Sequence, residues 1–451
     1  MATGKKSKKT PKKTAGKSQT QGYREAIREA ASGGDAPAAA RAVSPPPPPP
    51  ATADAAFVAK QAALDAIASK YNKEGHAVLV RGDEAPNPYI LRRPTGIMEL
   101  DIHLAGGWPA GGTCFVSGPD NAGKTWLMMQ TMAMQQRLYG HKCVQAYAIT
   151  EGGFPYDQAL RVGLRIAVPD EMLRQWQDWR TQRGLAPYTT EELRQAKEQV
   201  GDIRIVRGET GEELLTVVLR IVQSRACSVI CLDSLQGLQP VVDAAKEMDE
   251  AAKQAAHANM MTEFFKRYVP LTTGLSGVNE TTLLMTQQVR SNRAKSAAPS
   301  YMQAAIKDWT IAGSYSARHF KLVDLVLYDG ALQRKEVDGV KQVVGKVMKW
   351  ETEKGKAGTH DNIHGEVQYS YLFPQGVDFT GTVMDSAMQR GVLRKIGNQY
   401  VVVRPDTNEV RYDFSAPSLK KFRECMDVDF DFELMVRQEV LASAGVQCLY
   451  R

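Results

Sequence analysis

Cysteine is scarce: the chain has six in 451 residues, at positions 114, 143, 227, 231, 425 and 448. They stand mostly inside apolar runs and form no second pair to complement Cys227 and Cys231, which argues against a disulfide framework or a zinc site and for buried, reduced thiols. No apolar stretch reaches the length of a membrane span, and the start of the chain has no apolar core of the secretory kind. The expectation is a protein with no membrane partner. Acidic residues are missing from the first twenty positions, which carry Lys5, Lys6, Lys8, Lys9, Lys12, Lys13 and Lys17. Those seven lysines match the whole net charge of +7, so the remaining chain is balanced. Hydrophobic residues make up 43% and charged residues 24%, as in ordinary globular proteins.

Residues 1–53 are lysine-rich, then Ala- and Pro-rich, ending in Pro45–Pro50. Such a segment buries too little apolar surface to offset its ordering entropy and is expected to be disordered. Its lysines read equally as a solvated arm or as a salt-sensitive attraction to nucleic acid. Ala55–Tyr71 has the pattern of an amphipathic helix, and Ala77–Arg81 alternates like a short strand.

The most informative stretch is Gly118, Pro119, Asp120, Asn121, Ala122, Gly123, Lys124, Thr125, the pattern G-x-x-x-x-G-K-T. A strand-like run, Thr113–Ser117, precedes it, and a helical run beginning at Trp126 follows. Glycines let backbone N–H groups turn onto phosphate oxygens at the positive end of a helix. Lys124 then reaches the terminal phosphates and Thr125 a magnesium ion. A second apolar run, Cys143–Thr150, ends at Glu151, and a third, Cys227–Leu232, at Asp233. In open α/β sheets the carboxyl ends of strands face the ligand. Asp233 therefore suits the magnesium shell, whereas Glu151 taken alone reads as a cap or surface charge. Thr281–Thr286 is another buried strand, leading into Gln287, Gln288, Val289 and Arg290, where an amide could sense a terminal phosphate. Residues 291–312 mix Arg293, Lys295 and Lys307 with Tyr301 and Trp309. These are ingredients of single-strand nucleic-acid binding, although a solvated loop has the same composition. Val168–Val200 reads as an inserted helical hairpin, and three strands, a helix, a small hairpin and terminal helices follow from Lys321 onward.

This order of segments resembles the RecA family of bacterial and phage strand-exchange recombinases, from about Ala55 to Val403. The likeness rests on Thr95-Gly96 with Leu100-Asp101-Ile102 and Gly106-Gly107, the phosphate loop, Glu209-Thr210-Gly211-Glu212, Asp233-Ser234 before Leu238-Gln239-Pro240, Gln288-Val289-Arg290, and Gly376-Val377-Asp378-Phe379. The resemblance implies an α/β fold with a RecA-type P-loop ATPase core, its mostly parallel sheet flanked by helices, an N-terminal helix-strand oligomerisation arm and a small α+β C-terminal domain. The boundaries expected are a tail at 1–53, the arm at 54–94, the core at 95–335 with 168–200 inserted, final core strands and a connection at 336–365, and the small domain and terminal helices at 366–451.

The resemblance also implies roles. Gly118 to Trp126 and Asp233 would bind ATP, with Thr125 and Asp233 holding Mg2+ and Tyr156 near the adenine. Lys124, Glu151, Gln288 and Lys349 would be catalytic, Glu151 positioning water and Lys349 reaching the neighbouring subunit's ATP. Arg290, Arg293, Lys295, Lys307, Gly313 and Arg318 would contact DNA. Implied partners are single- and double-stranded DNA and further copies of the chain in a helical filament, in a cytoplasmic, nucleoid-associated setting or a host's cytoplasm. Glu351 stands where the family has a second interface lysine, and the second DNA loop lacks the family's Gly-Asn-Pro-Glu.

Overall fold

The computed structural model describes residues 55–446 except 75–76, 83, 86–90, 141–142, 167–169, 188, 191–201, 245–253, 274–278, 292–308, 312–316, 338–339, 357–368 and 373–375. The tail at 1–53, most of the second half of the expected hairpin at 168–200, and Arg293, Lys295, Lys307 and Gly313 lie outside the described residues. The described residues from Ala59 onward form one compact unit.

The first elements are α1 (Ala55–Tyr71), β1 (Arg92–Arg93), α2 (Met98–His103), β2 (Trp108–Pro109), β3 (Thr113–Gly118), α3 (Lys124–Tyr139) and β4 (Val144–Ile149). Next come α4 (Tyr156–Arg161), α5 (Asp170–Gln182), β5 (Asp202–Val206), α6 (Gly211–Ser224), β6 (Val229–Asp233), α7 (Val241–Ala244) and α8 (Gln254–Thr273). The sheet continues with β7 (Thr282–Ser291), β8 (Trp309–Ile311), the short α9 (Ala317–Phe320), β9 (Val323–Val337), β10 (Val340–Gly355), β11 (Tyr369–Leu372) and β12 (Gly376–Val377). The chain closes with α10 (Phe379–Gln389), β13 (Leu393–Ile396), β14 (Gln399–Val403), β15 (Val410–Ala416), α11 (Leu419–Val428) and α12 (Phe430–Ser443).

The main sheet has ten strands in the order β12-β11-β10-β9-β3-β7-β6-β4-β5, with β8 paired to the outer end of β7. The six from β9 to β5 are parallel, and β10 to β12 add an antiparallel wing. Alternation along each strand feeds two cores, one on each face. Cys114, Val116, Tyr147, Leu325, Met348 and Trp350 pack with α3 on one side. Phe115, Ala146, Ile230 and Met285 pack with α6 and α8 on the other. Both sides of the central strands are therefore covered, which is why they read as continuous apolar runs. Each fully buried aliphatic or aromatic side chain contributes about 1.5–3 kcal/mol.

Local chemistry sets the helix starts. Thr210 caps α6 by accepting from the Glu213 N–H (3.3 Å), and the Glu213 carboxylate accepts from the Glu209 N–H (2.7 Å). The terminal α10, α11 and α12 enclose a third core with the three-stranded sheet β13-β14-β15, and Met98 of α2 is buried in it. Arg437 of α12 seals this join: it donates to the Gly96 carbonyl and to Glu433 (2.9 Å each) and lies 3.7 Å from Asp101.

One local expectation is corrected. Residues 77–81 run without a strand. Their N–H groups are taken up instead by Asn72, whose side-chain oxygen accepts from Val78 (2.8 Å) and Leu79 (3.0 Å). In addition, β7 does not stop at Thr286 but continues through Gln288 and Arg290 to Ser291.

Candidate active site at the carboxyl ends of the parallel strands

β3 runs straight into the phosphate loop. Asn121 and Gly123 adopt the left-handed conformation (φ +61° and +82°), which lets successive N–H groups converge inside the turn. Gly118 has no room for a side chain, since a Cβ there would sit 2.7 Å from the Leu327 carbonyl oxygen. Ala122 is fully buried, which anchors the middle of the loop. Lys124 Nζ folds back over the loop and donates to the Gly118 (3.0 Å) and Pro119 (2.7 Å) carbonyls. From the sheet's wing, Lys346 of β10 donates to the Asn121 carbonyl (2.6 Å), adding a second cation at the loop.

Asp233, at the end of β6, is the hub of the site. Its carboxylate accepts from the hydroxyls of Thr125 (2.7 Å), Tyr147 (2.7 Å) and Thr286 (2.5 Å). These residues come from α3, β4 and β7, so strand order alone brings them together. Burial, reinforced by the neighbouring Asp233 charge, holds the Tyr147 phenol well above its ordinary pKa, so it stays a proton donor.

Glu151 is exposed just beyond β4, and its Oε1 accepts from the Ser234 hydroxyl (2.6 Å). Thr150 locks Ser234 in turn: its hydroxyl oxygen accepts from the Ser234 N–H (2.7 Å) and its hydroxyl donates to the Ser234 carbonyl (2.8 Å). Gly237 packs against the same pair, where a Cβ would lie 2.3 Å from Thr150 Oγ1 and 2.7 Å from Glu151 Cγ.

Gln288 aligns with Gly118 across the β3–β7 ladder. It is two residues beyond Thr286, so alternation puts it on the same face as the Asp233 cluster. Lys124, Thr125, Glu151, Asp233 and Gln288 thus share one end of the sheet. Lys349 is not among them: it lies between Met348 and Trp350, both buried in the α3-side core, and alternation turns it to the other face. Glu351, also on that face, accepts from the Tyr328 hydroxyl (3.1 Å). The Trp126 ring is buried and stacks on Phe379 (6.3 Å between centroids). Tyr156 rests on Phe154 (5.0 Å), which rests on Tyr147 (5.1 Å), so a row of rings leads outward from Asp233. Arg290 is placed on β7 and Arg318 on α9.

The arrangement fits a polyphosphate with a divalent ion. The loop supplies converging N–H groups and a lysine, Thr125 and Asp233 supply hard oxygen ligands, and Glu151 supplies a free carboxylate oxygen nearby. Among the described residues no group of three His, Cys, Asp or Glu could hold a metal unaided, so an ion here would draw part of its shell from phosphate oxygens. Tyr147, Thr286, Phe154 and Lys346 escaped the sequence reading, and Ser234 entered it only beside Asp233, without a role. Of the four that escaped, only Thr286 had a usable signal, its spacing of two from Gln288.

No family model matches the chain. It is similar to Protein RecA of Citrifermentans bemidjiense, 22% identical over 341 residues, spanning 74% of this chain and 83% of that protein. Protein RecA of Cereibacter sphaeroides is 23% identical over 347 residues (76% and 83%), and that of Geobacter sulfurreducens 21% over 339 residues (74% and 82%). The chain is RecA-like, with an α/β architecture consistent with a RecA-type core and a small antiparallel sheet toward its carboxyl end.

Proposed function

We propose that the chain is a DNA-dependent ATPase of the recombinase type, which assembles on single-stranded DNA and promotes homologous pairing and strand exchange. The observation that carries this reading is the joining of Lys124, Thr125, Asp233, Glu151 and Gln288 at one end of the sheet, in a chain similar to RecA over three quarters of its length.

In this reading the loop N–H groups and Lys124 hold the β- and γ-phosphates of ATP, and Thr125 and Asp233 hold magnesium. Bound there, magnesium supplies charge neutralisation on the phosphate oxygens. Glu151 accepts a hydrogen bond from the attacking water and aligns it with the γ-phosphorus, while Ser234 fixes the carboxylate's orientation. Catalysis of this kind is positioning and electrostatics rather than covalent chemistry. Gln288, in line with Gly118, links the terminal phosphate to the DNA-binding segment that follows β7. Two features support assembly of copies: α1 exposes Leu64, Ile67 and Tyr71, and Lys349 is turned from the face that carries its own phosphate loop.

The test is ATP hydrolysis by the purified chain with and without single-stranded DNA, paired with electron microscopy of the nucleotide–DNA mixture. Stimulated hydrolysis together with helical filaments is expected. Closed rings would favour a helicase-type motor on the same core, and nucleotide-gated DNA binding without turnover would make the chain a mediator; either outcome overturns the proposal.

A further inference from the structure

On the face of the sheet opposite the phosphate loop lies a buried charged cluster that the chemistry above does not use. Lys321, which follows α9, is 1% exposed, and its ammonium donates to Asp324 (2.7 Å) and to the side-chain oxygen of Gln287 (2.9 Å). It also sits 4.2 Å from the centre of the Phe115 ring. The other Asp324 oxygen accepts from the Ser117 hydroxyl (2.9 Å). Burying a lysine and an aspartate this fully is costly unless both are well bonded, and replacing the pair with apolar residues is often neutral for stability. A cluster of this kind invites a role beyond holding the fold together.

Its connectivity suggests that role. Ser117 immediately precedes Gly118, the first residue of the phosphate loop, and Gln287 immediately precedes Gln288. Ser117 and Gln287 are register partners on β3 and β7, and Asp324 lies on β9, the other neighbour of β3. Lys321 stands where the chain returns from the β7–β9 connection. One ammonium group therefore ties β7, from which the connection departs after Ser291, to the returning end of that connection, and through Asp324 to the strand that carries the loop.

We infer that Lys321 is a positioning residue that couples nucleotide at the phosphate loop to DNA at the β7–β9 connection. The inference rests on the functional reading above. Movement of Gln288 toward or away from a terminal phosphate would shift Gln287, and the Lys321 clamp would carry that shift from β7 to the returning end of the connection.

The test uses the full chain and a fluorescein-labelled oligo(dT), with its affinity measured in the presence and absence of a slowly hydrolysed ATP analogue. Allosteric coupling of this kind is typically about 5–150-fold, and the wild type is expected to tighten within that range. Two variants are compared: Gln287→Leu, which keeps the buried ion pair, and the paired Lys321→Met/Asp324→Leu, which removes both charges. Each is expected to bind DNA without nucleotide, and the analogue without DNA, as the wild type does, while the tightening falls toward one-fold. Wild-type tightening in Gln287→Leu would overturn the inference, and that variant alone decides if the paired one does not fold. Loss of analogue binding in a folded variant would overturn it too, since the cluster would then belong to the nucleotide site. A wild type that does not tighten at all would instead overturn the functional reading on which the inference stands.

Discussion

Glu151→Gln separates chemistry from structure at this site. The substitution removes the charge that would hold and polarise water but keeps an amide oxygen that can still accept from Ser234, now 2.6 Å from Glu151 Oε1. Glu151 is exposed and its hydrogen bond from Ser234 survives the change, so the loss of stability is expected to stay below about 0.5 kcal/mol. The thermal midpoint is therefore expected to move by less than about 2 °C. Removing a positioned general base typically costs about 10²–10⁴-fold in rate, which is about 3–5.5 kcal/mol of barrier at 1.36 kcal/mol per tenfold. Steady-state ATP hydrolysis in the presence of single-stranded DNA measures the loss, and binding of a fluorescent ATP analogue should be unchanged. Turnover within threefold of the wild type, with intact nucleotide binding, would refute the role given to Glu151.

Lys124→Ala should lower hydrolysis by about 10²–10³-fold, the scale for losing one donor aimed at developing charge; titration with the analogue should show weaker binding as well, and unchanged kinetics would count against the loop assignment. Gly237→Ala should disable the site from behind, because the new methyl would lie 2.7 Å from Glu151 Cγ; at least tenfold slower turnover with nucleotide binding retained is expected, and normal turnover would mean that the Ser234–Glu151 geometry is unimportant. Asp101→Asn should change the pH dependence of stability. Burial pushes the Asp101 carboxyl from its ordinary 3.8 up to about 6, with Arg437 opposing the rise. The folded state then keeps a proton that the unfolded chain has lost, so the contribution of Asp101 is full below about pH 4 and disappears as pH rises through 6, about 3 kcal/mol in all. In urea unfolding the stability difference between wild type and variant should therefore fall by about 1.4 kcal/mol per pH unit between pH 4.5 and 5.5 and flatten above pH 7; parallel curves across that range would refute it.

Much of the candidate site could be read locally. A glycine-spaced loop between an apolar run and a helical run specifies itself, and an acid at the end of a buried strand falls at the ligand edge of any parallel sheet. What could not be read is what depends on strand order. Tyr147 and Thr286 are 139 positions apart in sequence but meet at Asp233 because β4 and β7 flank β6. Ser234 meets Glu151 for the same reason, across 83 positions. Alternation at 77–81 was a local pattern without a pairing strand, and Asn72 provided the hydrogen bonds instead. Lys321 looked like the start of a strand, and nothing near it in sequence signalled burial, since its acceptors come from β7 and β9.

The three hydroxyls on Asp233 bear on the order in which ligands arrive. Among the described residues no group of three acids, histidines or cysteines makes a metal cage around it, and its oxygens already accept from the hydroxyls of Thr125, Tyr147 and Thr286, three of the roughly four acceptor positions a carboxylate has. A free divalent ion would compete with those three hydroxyl donors and would gain a single charged ligand in return. An ion that comes already chelated by a triphosphate brings most of its own coordination and needs only Thr125 to turn toward it. The metal is thus expected to travel as a passenger of the nucleotide, and magnesium alone, at concentrations that saturate ATP, should leave the thermal midpoint of the protein where it was.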